Sequence, residues 1–156
     1  MTYSRIFKVV YYFILGGIII QDIDIVREIL TESEYSIVVA KNGAILAKKQ
    51  GDGIRPIIEA IDELKRDMKG STVGDRILGK ASALLCVYAK VAGVYAPQAT
   101  KTAIAVLIRA GIPGQTDELV PYIKSRYEDN ICPFERMLSD IDSPEEAYRV
   151  LKKAIK

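Results

Sequence analysis

The chain has 156 residues, 49% hydrophobic and 27% charged, which fits one globular domain with a sizeable core. Its formal net charge of +2 and its lack of basic runs argue against nucleic acid or an anionic membrane as partner. It contains no histidine, so the commonest general base and the commonest metal ligand are both missing.

Two cysteines, Cys86 and Cys132, stand far apart and form no CxxC. A four-ligand zinc site of Cys and His cannot be assembled from them within one chain. They suggest free thiols in a reducing compartment, hence a cytoplasmic protein; a single disulfide is the alternative.

In chain order, Val9 to Ile20 reads VVYYFILGGIII after Arg5 and Lys8. This is short for a membrane span, which needs about 20 residues. No small-residue cleavage site follows it. Residues 1–20 are therefore read as an apolar N-terminal extension, with a membrane anchor and a core element as alternatives. A membrane is a partner only if residues 9–20 act as that anchor. Residues 21–156 form the domain.

Asp22 to Thr31 has helical spacing of Ile23, Val26, Ile29 and Leu30, with Asp22 or Asp24 as cap. Ser36–Lys41 and Ala44–Lys49 are strands rich in branched and apolar residues. Asn42-Gly43 between them is a hairpin signal, because both turn positions need positive φ. Pro56 opens a helix with Ile57, Ile61, Leu64 and Met68 inward, and Gly70 ends it. Asp75 to Ala89 (DRILGKASALLCVYA) is a helix apolar on nearly every side, which belongs in the middle of a domain. Asp75 is its expected N-cap.

A short strand, Gly93–Pro97, precedes a helix over Gln98–Ala110 with Ile104, Leu107 and Ile108 inward. Thr100 is its candidate cap and Gly111 its C′ residue. Glu118–Ile123 reads as a last strand and PFERML as a short helix with Pro133 at its start. Ser143-Pro144-Glu145-Glu146 is a capping box that starts the terminal helix. This succession predicts a mixed sheet covered on both faces.

The segments SIVVAKNG, GIRP, DRILGKASALL, ELVPYI, CPFE and IDSPEEAYRVL, in that order and spacing, resemble the uncharacterised domain-of-unknown-function family 1893. The likeness runs from about Tyr35 to the C-terminus. It implies a cytidine-deaminase-like fold, a three-layer α/β/α sandwich with a mixed sheet. Zinc deaminases of that fold start one helix with His-Ala-Glu or Cys-Ala-Glu and the next with Pro-Cys-x-x-Cys. The corresponding places here are Leu78-Gly79-Lys80 and Gln98 to Thr102, and neither carries a metal ligand. The resemblance thus implies a deaminase scaffold without a zinc site, and no cofactor is expected.

Lys80 is the first candidate for a site. A partly buried ammonium could serve as a base, an imine-forming amine or an anion ligand; its alternative is a packed stem with a solvated head. Asp75 joins it as a second candidate. Cys132 precedes Pro133 at a helix start, where a thiol is favoured as its anion, and Glu135 lies in the same first turn. Cys86 is packing. Arg55 precedes Pro56 at another helix start and is the candidate ligand-binding cation. Arg126, Asp129 and Asn130 are weaker candidates.

Two functions compete. One is a pocket for a small anionic metabolite, lined by Lys80, Asp75, Cys132 and Glu135. The other is an interaction or structural domain forming a homo-oligomer. If the first holds, Lys80, Asp75 and Cys132 should face one cavity.

Overall fold

A computed structural model describes residues 18–124 and 131–156. Expectations for residues 1–17 and for Arg126, Asp129 and Asn130 lie outside the described residues. The sheet is built first by the hairpin of β1 (Ile37–Lys41) and β2 (Ala44–Lys49). Asn42 at φ 53° and Gly43 at φ 82° make the tight two-residue turn. A bulge between Val39 and Ala40 adjusts the register.

The other edge of β1 pairs antiparallel with β3 (Thr72–Asp75), and β3 pairs parallel with β5 (Gly93–Thr100). β4 (Ile77–Leu78) continues the same register along β5. β6 (Gly114–Val120) runs parallel along the opposite edge of β5. The six-stranded sheet is therefore mixed, with β3 and β4 sharing one edge of β5.

Two sequence expectations are corrected. Asp75 is neither a helix residue nor a cap: it ends β3, and the helix starts five residues later as α3 (Lys80–Tyr88) with Gly79 as N-cap. β3 is covered on one face by the helix that carries Val26 and Leu30 and on the other by the main core around Val73, so its four residues are all buried and carry no alternation that would reveal a strand. β5 also extends through Pro97 to Thr100. Pro97 is passed over in the pairing with β6, and it stands opposite Arg76, where β3 gives way to β4. A proline with no N–H is tolerated at such a break.

One face of the sheet carries α1 (Ile18–Glu32), which packs on β1, β3 and β5 through Val26 and Leu30. Gly74 lets it approach: a Cβ there would lie 2.9 Å from Leu30 Cδ1 and from Val26 Cβ. Asp22, expected as a cap, lies inside α1 and is buried. Its two oxygens accept from the N–H groups of Asn42 and Gly43 at 3.0 and 2.8 Å, tying α1 to the hairpin turn. α1 begins at Ile18, so its first turn overlaps the segment read as an extension.

The other face carries α2 (Arg55–Leu64), α3 and α4 (Lys101–Arg109), with α6 (Pro144–Ala154) packed on α3. A turn of 3-10 helix, Lys65–Met68, extends α2, and Gly70 follows at φ 79°. Thr100 caps α4 by accepting from Ala103 N–H, and Gly111 adopts φ 71° as its C′ residue. Ser143 caps α6 through Glu146 N–H.

Within α4, Ala103 and Leu107 face the core, whereas Ile108, expected inward, is 71% exposed. The α3 segment Ala81–Cys86 is buried on every side, as its apolar character requires. Short helix α5 (Pro133–Met137) sits against it. The result is the three-layer α/β/α sandwich. Among the described residues, no helix is long and apolar enough to cross a membrane.

Candidate functional site

A cavity of about 710 Å³ opens at the carboxyl end of β3. In α/β sheets this end is where ligand crevices form. Its floor is Asp75, Arg76 and Ile77 at the β3–β4 junction, with Ser82 from the first turns of α3. Ser36 and the Gly51–Ile54 loop form one wall, and Cys132–Glu135 with Ile123 and Lys124 form the other.

Asp75 is the unusual group. It is 7% exposed, and Oδ1 accepts from Ile77 N–H at 3.3 Å. Its Oδ2 is buried with no hydrogen-bond partner. Burial raises the carboxyl from an ordinary 3.8 to about 7, opposed by the Ser82 hydroxyl and the Ile77 N–H. The Glu135 charge raises it further and Arg76 lowers it by a smaller amount.

Arg76 is held away from Asp75 by its own bonds. Nε and Nη2 donate to Tyr35 O, and Nη2 also to Leu30 O and Ser33 O at 2.9 Å. These carbonyls close the C-terminal end of α1, where a cation is favoured. Arg76 N–H donates to Ser36 O, and the Ser36 hydroxyl to Gly51 O at 2.6 Å, which ties this wall to β3.

Glu135 decides what the helix end can do. Its carboxylate accepts from the N–H groups of Lys80 and Ala81 at 2.9 and 3.0 Å. A helix N-terminus is an anion site, and here the protein's own carboxylate fills it. Gly79 makes room: a Cβ there would stand 2.4 Å from Ile123 Cδ1 and 2.5 Å from Glu135 Oε1. Phe134, next to Glu135, covers Gly53, where a Cβ would meet its ring at 2.7 Å.

The expected grouping of Lys80 with Asp75 and Cys132 is not what the side chains do. Asp75, Cys132 and Glu135 line the cavity, but the Lys80 ammonium turns away from it. Lys80 Nζ donates to Leu138 O at 2.8 Å and Ser139 O at 3.4 Å and pairs with Asp142 at 3.0 Å. Lys80 thus satisfies carbonyls just beyond α5 while Glu135 caps α3, a reciprocal tie between the two helices.

Arg55 is also placed elsewhere. It is exposed and donates to Ile155 O at 2.7 Å, at the chain's C-terminal end. From the first position of α2 it reaches a carbonyl past the last turn of α6. Cys132 is half-buried at the cavity wall, and both cysteines are free thiols. Burial pushes the Cys86 thiol up, consistent with an inert packing residue.

Ser36, Arg76, Ser82 and Phe134 were not singled out from sequence. Nothing local marks them; each acquires its part from a neighbour distant in the chain.

The fold and this cavity define an α/β/α sandwich protein with a largely apolar crevice, carrying one buried carboxyl, at the carboxyl end of β3. The chain belongs to the family described as Domain of unknown function (DUF1893), whose sequence model matches residues 25–155. A crystal structure of a DUF1893 family protein from Thermotoga maritima is similar. It superposes with a TM-score of 0.75 at 24% identity, covering 82% of this chain and 86% of that one. That likeness shows a shared fold. Two forms of Acinetobacter baumannii RibD match at 15% identity, with TM-scores of 0.46 and 0.49, over 62% of this chain and 35% of theirs. No curated protein matches the chain.

Proposed function

We propose that the protein binds a small polar molecule in the cavity at the end of β3, with Asp75 as the group that reads it. One observation carries this: a carboxyl oxygen buried without a partner beside an open cavity of about 710 Å³. An unpaired buried acceptor costs about 1–3 kcal/mol, and folds retain such a group where function needs it. A cavity of this size holds an ordinary metabolite. Cys132 and Glu135 stand on the opposite wall as further contacts. The free thiols suit a reducing compartment such as the cytoplasm.

The test is a thermal-shift screen of small polar metabolites on the wild-type chain, Asp75→Asn and Lys80→Met. A ligand should raise the melting temperature of wild type and Lys80→Met but not of Asp75→Asn. A hit that is lost with Lys80→Met and kept with Asp75→Asn would return the site to Lys80.

A second reading, self-association, is favoured by β6. Among the described strands it pairs only with β5, and no described strand lies along its outer edge. Leu119 on β6 and Ile108 on the adjacent α4 are 51% and 71% exposed. Sedimentation of wild type and Leu119→Lys reads this out: a dimer that the substitution dissociates supports it, and a monomeric wild type rejects it.

A further inference from the structure

The hydrogen-bonding inventory of the cavity narrows the class of ligand, given the reading of this cavity as a binding site. Anion-binding pockets present donors: helix N-terminal amides, arginine forks or lysines. Here several of the donors nearest Asp75 are already engaged. The Lys80 and Ala81 amides belong to Glu135, and the Ile77 amide belongs to Asp75 Oδ1. Arg76 spends Nε and Nη2 on the carbonyls of Leu30, Ser33 and Tyr35. The Lys80 ammonium, the strongest candidate cation, faces Leu138 O and Asp142 outside the cavity.

At Asp75 an acceptor stands open. Asp75 Oδ2 has no partner, and the hydroxyls of Ser36 and Ser82 can also accept. The Glu135 carboxylate, held by the Lys80 and Ala81 amides, lines the same space and adds negative charge, and the exposed Lys124 also lines it. A ligand anion would meet the Asp75 carboxyl with the Lys80, Ala81 and Ile77 amides already engaged. A ligand that brings its own N–H donors and a positive charge would complete the buried carboxyl.

We infer that the ligand of this cavity carries a protonated amine or amidine, whose N–H groups donate to Asp75 Oδ2 with the Ser82 hydroxyl beside it. Such a pair is a charge-assisted hydrogen bond in a secluded site, the stronger kind. The charged groups acting on Asp75 are Glu135 from α5 and Arg76 from the β3–β4 junction; the Cys86 thiol in α3 is held neutral. With Asp75 titrating about 7, a cation binds the ionised carboxylate, and below that pH its binding releases a proton to solvent.

The probes are benzylamine, benzamidine, benzyl alcohol and benzoate, titrated into the ¹⁵N-labelled full chain at pH 6 and pH 8. The amides of Gly51, Gly53 and Ile77 report on the cavity. Both cations should shift them at pH 8 and bind about tenfold more weakly at pH 6, as the ionised fraction of Asp75 falls. Asp75→Asn should weaken both at least tenfold, and its own spectrum shows whether it is folded. Benzoate and benzyl alcohol should bind at least tenfold more weakly than benzylamine.

Benzoate or benzyl alcohol binding as tightly as the amine, in a manner lost with Asp75→Asn, overturns the cationic class and leaves the cavity as a ligand site. Cation binding that is insensitive to both pH and Asp75→Asn overturns the inference. If none of the four shifts the cavity amides, the inference and the binding reading fall together.

Discussion

Asp75→Asn should make the protein more stable at alkaline pH, and by an amount the burial of Asp75 sets. The carboxyl has a folded value of about 7 against an ordinary 3.8. Between those values the folded state holds a proton that the unfolded state has lost. Stability therefore falls as pH rises from about 4 and stops falling above about 7, because ΔG of unfolding decreases wherever the unfolded state binds fewer protons. At about 1.4 kcal/mol per pH unit, the full cost of ionising Asp75 is about 4 kcal/mol at pH 8. Roughly 2 kcal/mol of it has already accrued by pH 5.

Asparagine keeps the shape and the acceptor for Ile77 N–H but does not ionise. The offset between the two proteins at any one pH includes the packing of the new amide. The change in that offset between pH 5 and pH 8 does not. Urea unfolding of both proteins at the two pH values should show the variant gaining about 2–3 kcal/mol on wild type. An offset that is unchanged within about 0.5 kcal/mol would mean that Asp75 is not desolvated as the geometry requires. An offset that moves the other way would mean that Asp75 is held as a stabilised anion.

Other substitutions probe the supports of the cavity. Glu135→Ala removes both acceptors from the first amides of α3, and loss of such a charged cap should cost about 2–3 kcal/mol in urea unfolding. Glu135→Gln should cost about half of that, since one amide oxygen remains. Gly79→Ala drives a Cβ into Ile123 and the Glu135 carboxylate, and should lower stability by about 1–3 kcal/mol; a neutral result would show that α5 shifts freely. Lys80→Met should lose about 1–2 kcal/mol from the severed carbonyl bonds while leaving cavity binding intact, and a loss of binding without loss of stability would contradict its outward orientation.

The Glu135 and Lys80 tie shows why part of the cavity was beyond the reach of sequence reasoning. Both residues stood out, one as a cation in an apolar helix, the other as an acid in a helix's first turn. Their spacing along the chain says nothing about which helix end each serves. Only the packing of α5 on α3 puts the Glu135 carboxylate on the α3 amides and turns Lys80 toward Leu138. Asp75 was legible as an unusual acid but was assigned to the wrong element. Its strand, Thr72–Asp75, is buried between neighbours and has neither length nor alternation to announce it. Ile108 kept helical spacing yet lies exposed, because α4 covers the sheet near its edge with only Ala103 and Leu107 against the core.

By itself the sequence determined what local physics decides. Asn42-Gly43 demands positive φ and therefore a hairpin. Thr100 and Ser143 cap the helices that follow them, because a side-chain oxygen there satisfies an otherwise orphaned N–H. The apolar character of Ala81 to Cys86, broken only by the small Ser82, required a central helix. The tertiary structure alone decided the electrostatics of the cavity. Desolvation and hydrogen-bond pairing depend on what closes over a group. Asp75, Arg76, Lys80 and Glu135 acquire their partners from Leu30 to Asp142, across most of the described chain.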